Sequence, residues 1–342
     1  MNTPRLPAEW EAQSGVLLAW PHAASDWADM LEQVEPCVAA IATEISRFER
    51  VLIVAQDAPH VLDRLAAAGA ALERVCIVGL PTNDTWARDF GPITVLRDGR
   101  PELLDFGFNG WGLKYAADQD NQVSRRLHAL GDLGSYPMRT LGLVLEGGSI
   151  ESDGAGAILT TAACLLSPNR NPHLSLPQIE AALKSHLGAE RVLWLRHGHL
   201  AGDDTDSHID ILARFAPGDT IVHMACDAAD DEHHAELAAM RAELACFITA
   251  DGRPYRLVAL PWPKAKVNRN GEPVAPSYAN FLVINGAVLV PVYDDDADGR
   301  ALATIAGCFP GREVIGIPCS PLIEQGGSLH CMSMQLPEGV WS

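Results

Sequence analysis

Phe281 to Tyr293, FLVINGAVLVPVY, decides the fold. Two β-branched, apolar runs flank Asn285-Gly286, a pair that accepts the positive φ of a tight two-residue turn, so the stretch predicts a β-hairpin. Downstream, Asp298 is placed to cap a helix whose apolar residues Leu302, Ile305 and Phe309 recur at helical spacing, and Glu313 to Ile317 reads as a strand. The order is hairpin, helix, strand.

Working outward, the same order recurs. Ser149 to Leu166 predicts a hairpin turning at Asp153-Gly154, followed by a helix opened by Ser175 and Gln178 at capping-box spacing, closed by Gly188, and a strand from Arg191 to Leu195. A further copy runs from His208 through the turn Pro217-Gly218-Asp219 to Met224, then a helix over Asp230 to Ala245 and a strand from Tyr255 to Leu260. Another begins at Pro92, turns at Asp98-Gly99 and continues through a polar helix near Gln119 to Leu130.

The chain ends supply two halves of a fifth unit. Ser328 to Leu336 reads as a strand without a hairpin partner. Gly15 to Trp20 reads as a strand leading into a helix with apolar Trp27, Leu31, Val34, Val38, Ile41, Ile45 and Phe48, then the strand Val51 to Ala55. Five such units with shared ends predict an α/β, five-bladed propeller in one domain, residues 1–342, because radial repetition leaves few exposed strand edges. Pro59 to Gly79 reads as an extra helix and strand outside this repeat. Alternating α and β elements are also compatible with a doubly wound sheet.

In register, the units begin near residues able to do chemistry: Asp89, Glu146, His208 with Asp210, and Cys331. Convergence of these positions would assemble a nucleophile, a proton carrier and several acids into one site. Asp210 follows His208 by two residues, so on a strand both would face one ligand. Trp86 could stack on a delocalised cation. The acidic run Asp294 to Asp296 and the stretch Asp230 to His234 read as turn and helix-start residues rather than metal ligands, so no metal is expected.

Composition narrows the function classes. The chain has 342 residues, 48% apolar, and a formal charge of -19, which argues against nucleic acid and suits a small cationic partner. With no apolar run long enough for a membrane span and no export signal, a cytoplasmic location is expected. Eight scattered cysteines without a CxxC pair read as mostly buried thiols in a reducing compartment. A homo-oligomer is left open by the sequence.

The motifs WARDFGP, LEGGS, TDSHID and GGSLHC, in that order, resemble the agmatine deiminase family, itself similar to bacterial-type peptidylarginine deiminase within the guanidine-modifying, pentein superfamily. The resemblance extends from Trp20-Pro21 to the Cys331 segment. It implies a five-bladed α/β propeller and a cofactor-free hydrolase that converts agmatine to N-carbamoylputrescine and ammonia, a step toward putrescine. By the same resemblance Cys331 is the nucleophile, His208 the acid and base, Asp89 and Asp210 the guanidinium holders, Glu146 their partner and Trp86 part of the substrate channel. The distal ammonium of agmatine needs an acidic or aromatic neighbour, for which Asp204 is the candidate. The chain departs from the common family pattern at Ser207, where glycine is usual, and in QGGSLHC, where GGGNIHC is usual.

Other readings are a deiminase of peptidyl-arginine or another guanidine, a Cys-His thiol hydrolase acting on amides, and a guanidine-binding protein without turnover. Two acids addressing one cation count against the thiol hydrolase, and the full reactive set counts against the binding protein. The segment Pro263 to Pro276 is expected to be a mobile loop.

Overall fold

Five sheets repeat one topology in the computed structural model, which describes residues 3–341. In four of them an antiparallel hairpin is extended by a parallel strand that arrives after a helix. These are Ile93–Arg97, Arg100–Gly107 and Met138–Val144; Ile150–Ser152, Ala157–Thr161 and Arg191–Leu195; Ala213–Ala216, Thr220–Met224 and Arg256–Leu260; and Leu282–Ile284, Ala287–Val292 and Glu313–Pro318. The fifth sheet takes strands from both ends of the chain. Ser333–Pro337 runs antiparallel to Gln13–Ala19, which lies parallel to Arg50–Ala55, and Val75–Gly79 completes that sheet.

Local chemistry accounts for these elements. Ile284 faces Ala287 across the Asn285-Gly286 turn, with Gly286 at φ 80°, the conformation only glycine adopts without steric cost. Helix Leu31–Phe48 lays Val34, Val38, Ile41 and Ile45, all fully buried, on the sheet built from both chain ends. Helix Leu176–Leu187 carries the reciprocal Ser175–Gln178 capping box and ends at Gly188 in the left-handed region. The insertion after the first parallel strand is the helix Ala58–Ala68 and the outer strand Val75–Gly79.

Several expectations require correction. Trp27 lies before helix Leu31–Phe48, not in it, because its indole turns inward to donate to Thr85 Oγ1 at 2.9 Å. Asp298 does not cap its helix; its carboxylate accepts from Tyr293 N, Asp295 N and Tyr278 Oη and so ties down the preceding loop. The helix expected from Asp230 starts at His234, since Asp231 is occupied by His233 and Trp262. Residues 328–332 are not strand. Asn280 takes the backbone N–H groups of His330 and Cys331, so the strand starts only at Ser333. Pro263 to Pro276 contains a small ladder between Lys266–Val267 and Pro273–Val274, closed by Asn268 Oδ1, which accepts from Asn270 N and Glu272 N. No helix among the described residues is long and apolar enough to cross a membrane.

Candidate active site

Each unit contributes a residue from the segment just before its first strand. Asp89 sits in the short helix Ala87–Phe90, Glu146 precedes the turn Gly147–Ser149, His208 and Asp210 flank Ile209, and Cys331 lies two residues before Ser333. The spacing of His208 and Asp210 led to the expectation that both lie on a strand, and the structure corrects this. Asp210 lies in the turn Ile209–Ile211, and the strand starts later at Ala213. The remaining unit contributes Asn280, just before Leu282–Ile284, a residue missed in the sequence although it occupies the equivalent repeat position.

These side chains meet in a buried centre. Cys331 Sγ lies 3.3 Å from Asn280 Nδ2 and 3.7 Å from Asp210 Oδ2, and His208 Nδ1 lies 3.7 Å from Asp89 Oδ1. Both His208 ring nitrogens and Asp210 Oδ1 are buried without a hydrogen-bond partner, which is costly unless a ligand completes them. Gly148 is what permits the approach: a β-carbon there would sit 2.6 Å from His208 Nδ1, 2.9 Å from Asp89 Oδ1 and 3.2 Å from Asp210 Oδ2.

The charge states follow from burial. Burial, reinforced by the Asp210 and Asp89 carboxylates, pushes the Cys331 thiol well above its ordinary range. Burial and the neighbouring Asp210 likewise raise Asp89, while burial holds His208 down to about 3. Burial alone would raise Asp210 too, but the hydrogen bond and charge of His330 hold it below the ordinary carboxylate value. Burial thus favours a neutral thiol and neutral imidazole, and a cation bound beside them would offset the carboxylate repulsion around Cys331 and Asp89.

Glu146 does not touch the open cleft. Both of its oxygens accept from Arg170 Nε, at 2.8 and 3.0 Å, while Arg170 reaches Asp206 at 2.5 Å and Thr205 O at 2.9 Å. Asp206 and Ser207 hold φ of 66° and 64°, so the position where the resemblance leads one to expect glycine is left-handed here. Ser207 is kept there by its N–H bond to Asp203 Oδ2 at 2.7 Å. Glu146, Cys164 and His208 place potential ligand atoms within 4.8 Å of one another, but a cation would have to share Glu146 with Arg170. Of the other acids weighed as ligands, Asp231 pairs with His233 and Asp296 with Lys264.

The open face is a cleft of about 410 Å³ lined by Cys331, Asp89, Trp86, Trp111, Tyr115 and the carboxylates of Asp26, Asp84 and Asp204, with no Lys, Arg or His among the lining residues. Trp86 packs on Trp27 with centroids 5.7 Å apart and stands where a β-carbon on Gly327 would collide with its ring. The segment Gly110 to Leu113, unforeseen in the sequence, holds φ between 55° and 83° at four successive residues. It is fastened by Trp111 Nε1 to Asp89 Oδ2 at 2.9 Å and by Tyr115 Oη to Asp204 Oδ2 at 2.7 Å.

Comparison with known proteins adds the family. The model of the Porphyromonas-type peptidyl-arginine deiminases matches residues 5–337. An agmatine deiminase of Stutzerimonas stutzeri is 35% identical, covering 98% of this chain and 97% of that protein. A Porphyromonas gingivalis chain, solved as a candidate arginine deiminase, superposes with a TM-score of 0.94 at 50% identity, covering 99% of this chain and all (100%) of the other. A Cys-to-Ser variant of C. jejuni agmatine deiminase, solved with substrate bound, is 34% identical with a TM-score of 0.92, covering 99% of this chain and 98% of the other. By the family model and the full-length relatives alike, the chain belongs to the family of Porphyromonas-type peptidyl-arginine deiminases and agmatine deiminases.

Proposed function

We propose that this chain is an agmatine deiminase, hydrolysing agmatine to N-carbamoylputrescine and ammonia through a covalent Cys331 intermediate and so feeding putrescine synthesis. The observation that carries this is the cleft: Cys331 and Asp89 line it together with Asp26, Asp84 and Asp204, and no basic residue does. A guanidinium with an amine tail meets carboxylates at both ends, whereas the carboxylate of free arginine would meet none of the basic groups it needs.

Asp89 and Asp210 hold the planar guanidinium, and its charge favours the thiolate of Cys331, whose proton passes to His208. Asn280 Nδ2 steadies the sulfur. Sulfur attack on the central carbon gives a tetrahedral adduct. His208 returns the proton to one nitrogen, the C–N bond breaks, and ammonia leaves a cationic amidino-thioether on Cys331. His208 then takes a proton from water as the hydroxide adds. Collapse breaks the C–S bond and gives the ureido product and the thiol, and the surplus proton departs on ammonia as ammonium. Glu146, locked by Arg170, stabilises positive charge at His208. Nucleophile, proton carrier and charge holders are all side chains, so the reaction as drawn uses no cofactor.

The five sheets are read as blades of one closed propeller forming a single catalytic domain, residues 1–342. Pairing of Ser333–Pro337 with Gln13–Ala19 and the meeting of residues from all five units support this reading. A cytoplasmic setting suits a thiol nucleophile and eight cysteines that are all free.

The second reading, deimination of arginine or peptidyl-arginine, is favoured by the description of the family model and by the Porphyromonas gingivalis chain. Ammonia release and ureido formation, measured side by side with agmatine, arginine and a blocked arginyl peptide, separates the readings. Turnover of agmatine alone is expected; preference for the peptide would replace this assignment with the second.

A further inference from the structure

Behind the guanidinium-holding carboxylate lies a buried chain of charges that the mechanism above does not use. His330 Nδ1 is 2.8 Å from Asp210 Oδ2, and its Nε2 is 2.7 Å from Glu9 Oε2. Both acids are buried. Glu9 comes from the stretch before the first strand, 321 residues away from His330 in the chain. It is anchored by Val283 N to Oε1 at 2.7 Å and by Arg214 Nη2 to Oε2 at 2.8 Å, with Arg88 Nη2 at 3.6 Å.

Hydrogen-bond inventory sets the state of this chain. An imidazole flanked by two carboxyl groups can bond both at once, one through each nitrogen, and so fixes the orientation of each. His330 thus bridges the two acids, one through each ring nitrogen. Its bond occupies Asp210 Oδ2, leaving Oδ1 as the buried, unpartnered oxygen. A carboxylate that meets a planar cation through one free oxygen needs that orientation fixed before the cation arrives.

We infer that Glu9 and His330 are positioning residues: Glu9 holds the His330 ring by its Nε2, and His330 holds Asp210 by Oδ2 so that Oδ1 is turned to the substrate. This rests on the reading of Asp210 as a guanidinium holder. The groups facing Asp210 are His330, His208, Cys331, Asp89, Arg88 and Arg214, and those facing Glu9 are His330, Arg88, Arg214, Glu49 and Glu151. Among them, His330 alone has hydrogen bonds to both Asp210 and Glu9.

Glu151 provides the control. It bonds Arg214 Nε at 2.8 Å, as Glu9 bonds Arg214 Nη2, but has no hydrogen bond to His330. Glu9→Gln and Glu151→Gln therefore each remove one carboxylate from the same buried arginine, and only the first breaks the relay. His330→Asn keeps a donor where Nδ1 stands and loses the link to Glu9.

Agmatine kinetics and thermal melting of these three variants and the unaltered protein test the inference. Glu9→Gln and His330→Asn are expected to raise KM about tenfold with a smaller change in kcat, and to move the acid limb of kcat/KM to higher pH, because Asp210 then gains a proton more readily. Glu151→Gln is expected to lower Tm while leaving KM and the acid limb within about twofold. A KM shift of similar size in Glu151→Gln, or loss of Tm alone in Glu9→Gln and His330→Asn, overturns the relay. Calorimetric agmatine binding in a Cys331→Ala background reads the same division without turnover. Inactivity of the unaltered protein toward agmatine would count against the proposed function, while the binding isotherms would still decide the relay.

Discussion

At the residue scale, the proposed division of labour separates holding the guanidinium from attacking it. Cys331→Ala is expected to lower kcat by about 10⁴-fold or more while agmatine binding by calorimetry survives, because the carboxylates carry the ground state. Equal loss of binding would mean that the sulfur is part of the binding site. Asp204 is bonded by Tyr115 Oη at the cleft mouth and is the proposed partner of the distal ammonium. Asp204→Asn should raise KM for agmatine by about tenfold and leave a butylguanidine, which lacks the amine, nearly unaffected. Parallel losses for both substrates would remove Asp204 from that role. Asp26 and Asp84 share the cleft, and burial pushes Asp84 up to about 6, so Asp84 gains its charge as pH rises through about 6.

At the element scale, turns rather than strands carry the site, and turns depend on small residues. Gly148→Ala should abolish activity with a modest change in Tm, since its β-carbon would enter the space between His208, Asp89 and Asp210. Ser207, left-handed at φ 64°, is expected to tolerate glycine with a gain in stability of about 1 kcal/mol, read by thermal melting. Glu49 joins the sheet built from both chain ends to the Asn285 turn by accepting from Asn285 N at 2.8 Å, and burial pushes it up to about 7. Its folded value lies above its unfolded one, so the folded state holds the extra proton between roughly pH 4.5 and 7 and stability falls as pH rises across that window. Glu49→Gln removes this dependence. The Tm difference, variant minus unaltered protein, should grow from pH 5 to pH 8, and a constant difference would contradict the buried-acid account.

At the scale of the whole molecule, a charge of -19 surrounds a site proposed to take a doubly charged substrate. kcat/KM for agmatine should fall with rising ionic strength more steeply than for singly charged butylguanidine, because steering scales with substrate charge and is screened by salt. Equal slopes would confine the electrostatics to the cleft. The sequence by itself determined the repeat, because Asn285-Gly286, the capping box at Ser175 and the apolar periodicity of Val34 to Ile45 act through local sterics and burial that tertiary context did not override. Together with its motifs it also singled out Asp89, Glu146, His208, Asp210 and Cys331. Tertiary structure alone decided the rest. Asn280 takes the backbone around Cys331, Trp111 reaches Asp89 from a left-handed segment, and Glu9 reaches His330 across nearly the whole chain. Pattern reading misses such contacts because an unpaired carboxylate or amide in sequence carries no record of its partner. Only folding, by withdrawing these groups from water, makes a distant donor or cation necessary and so selects which one it will be.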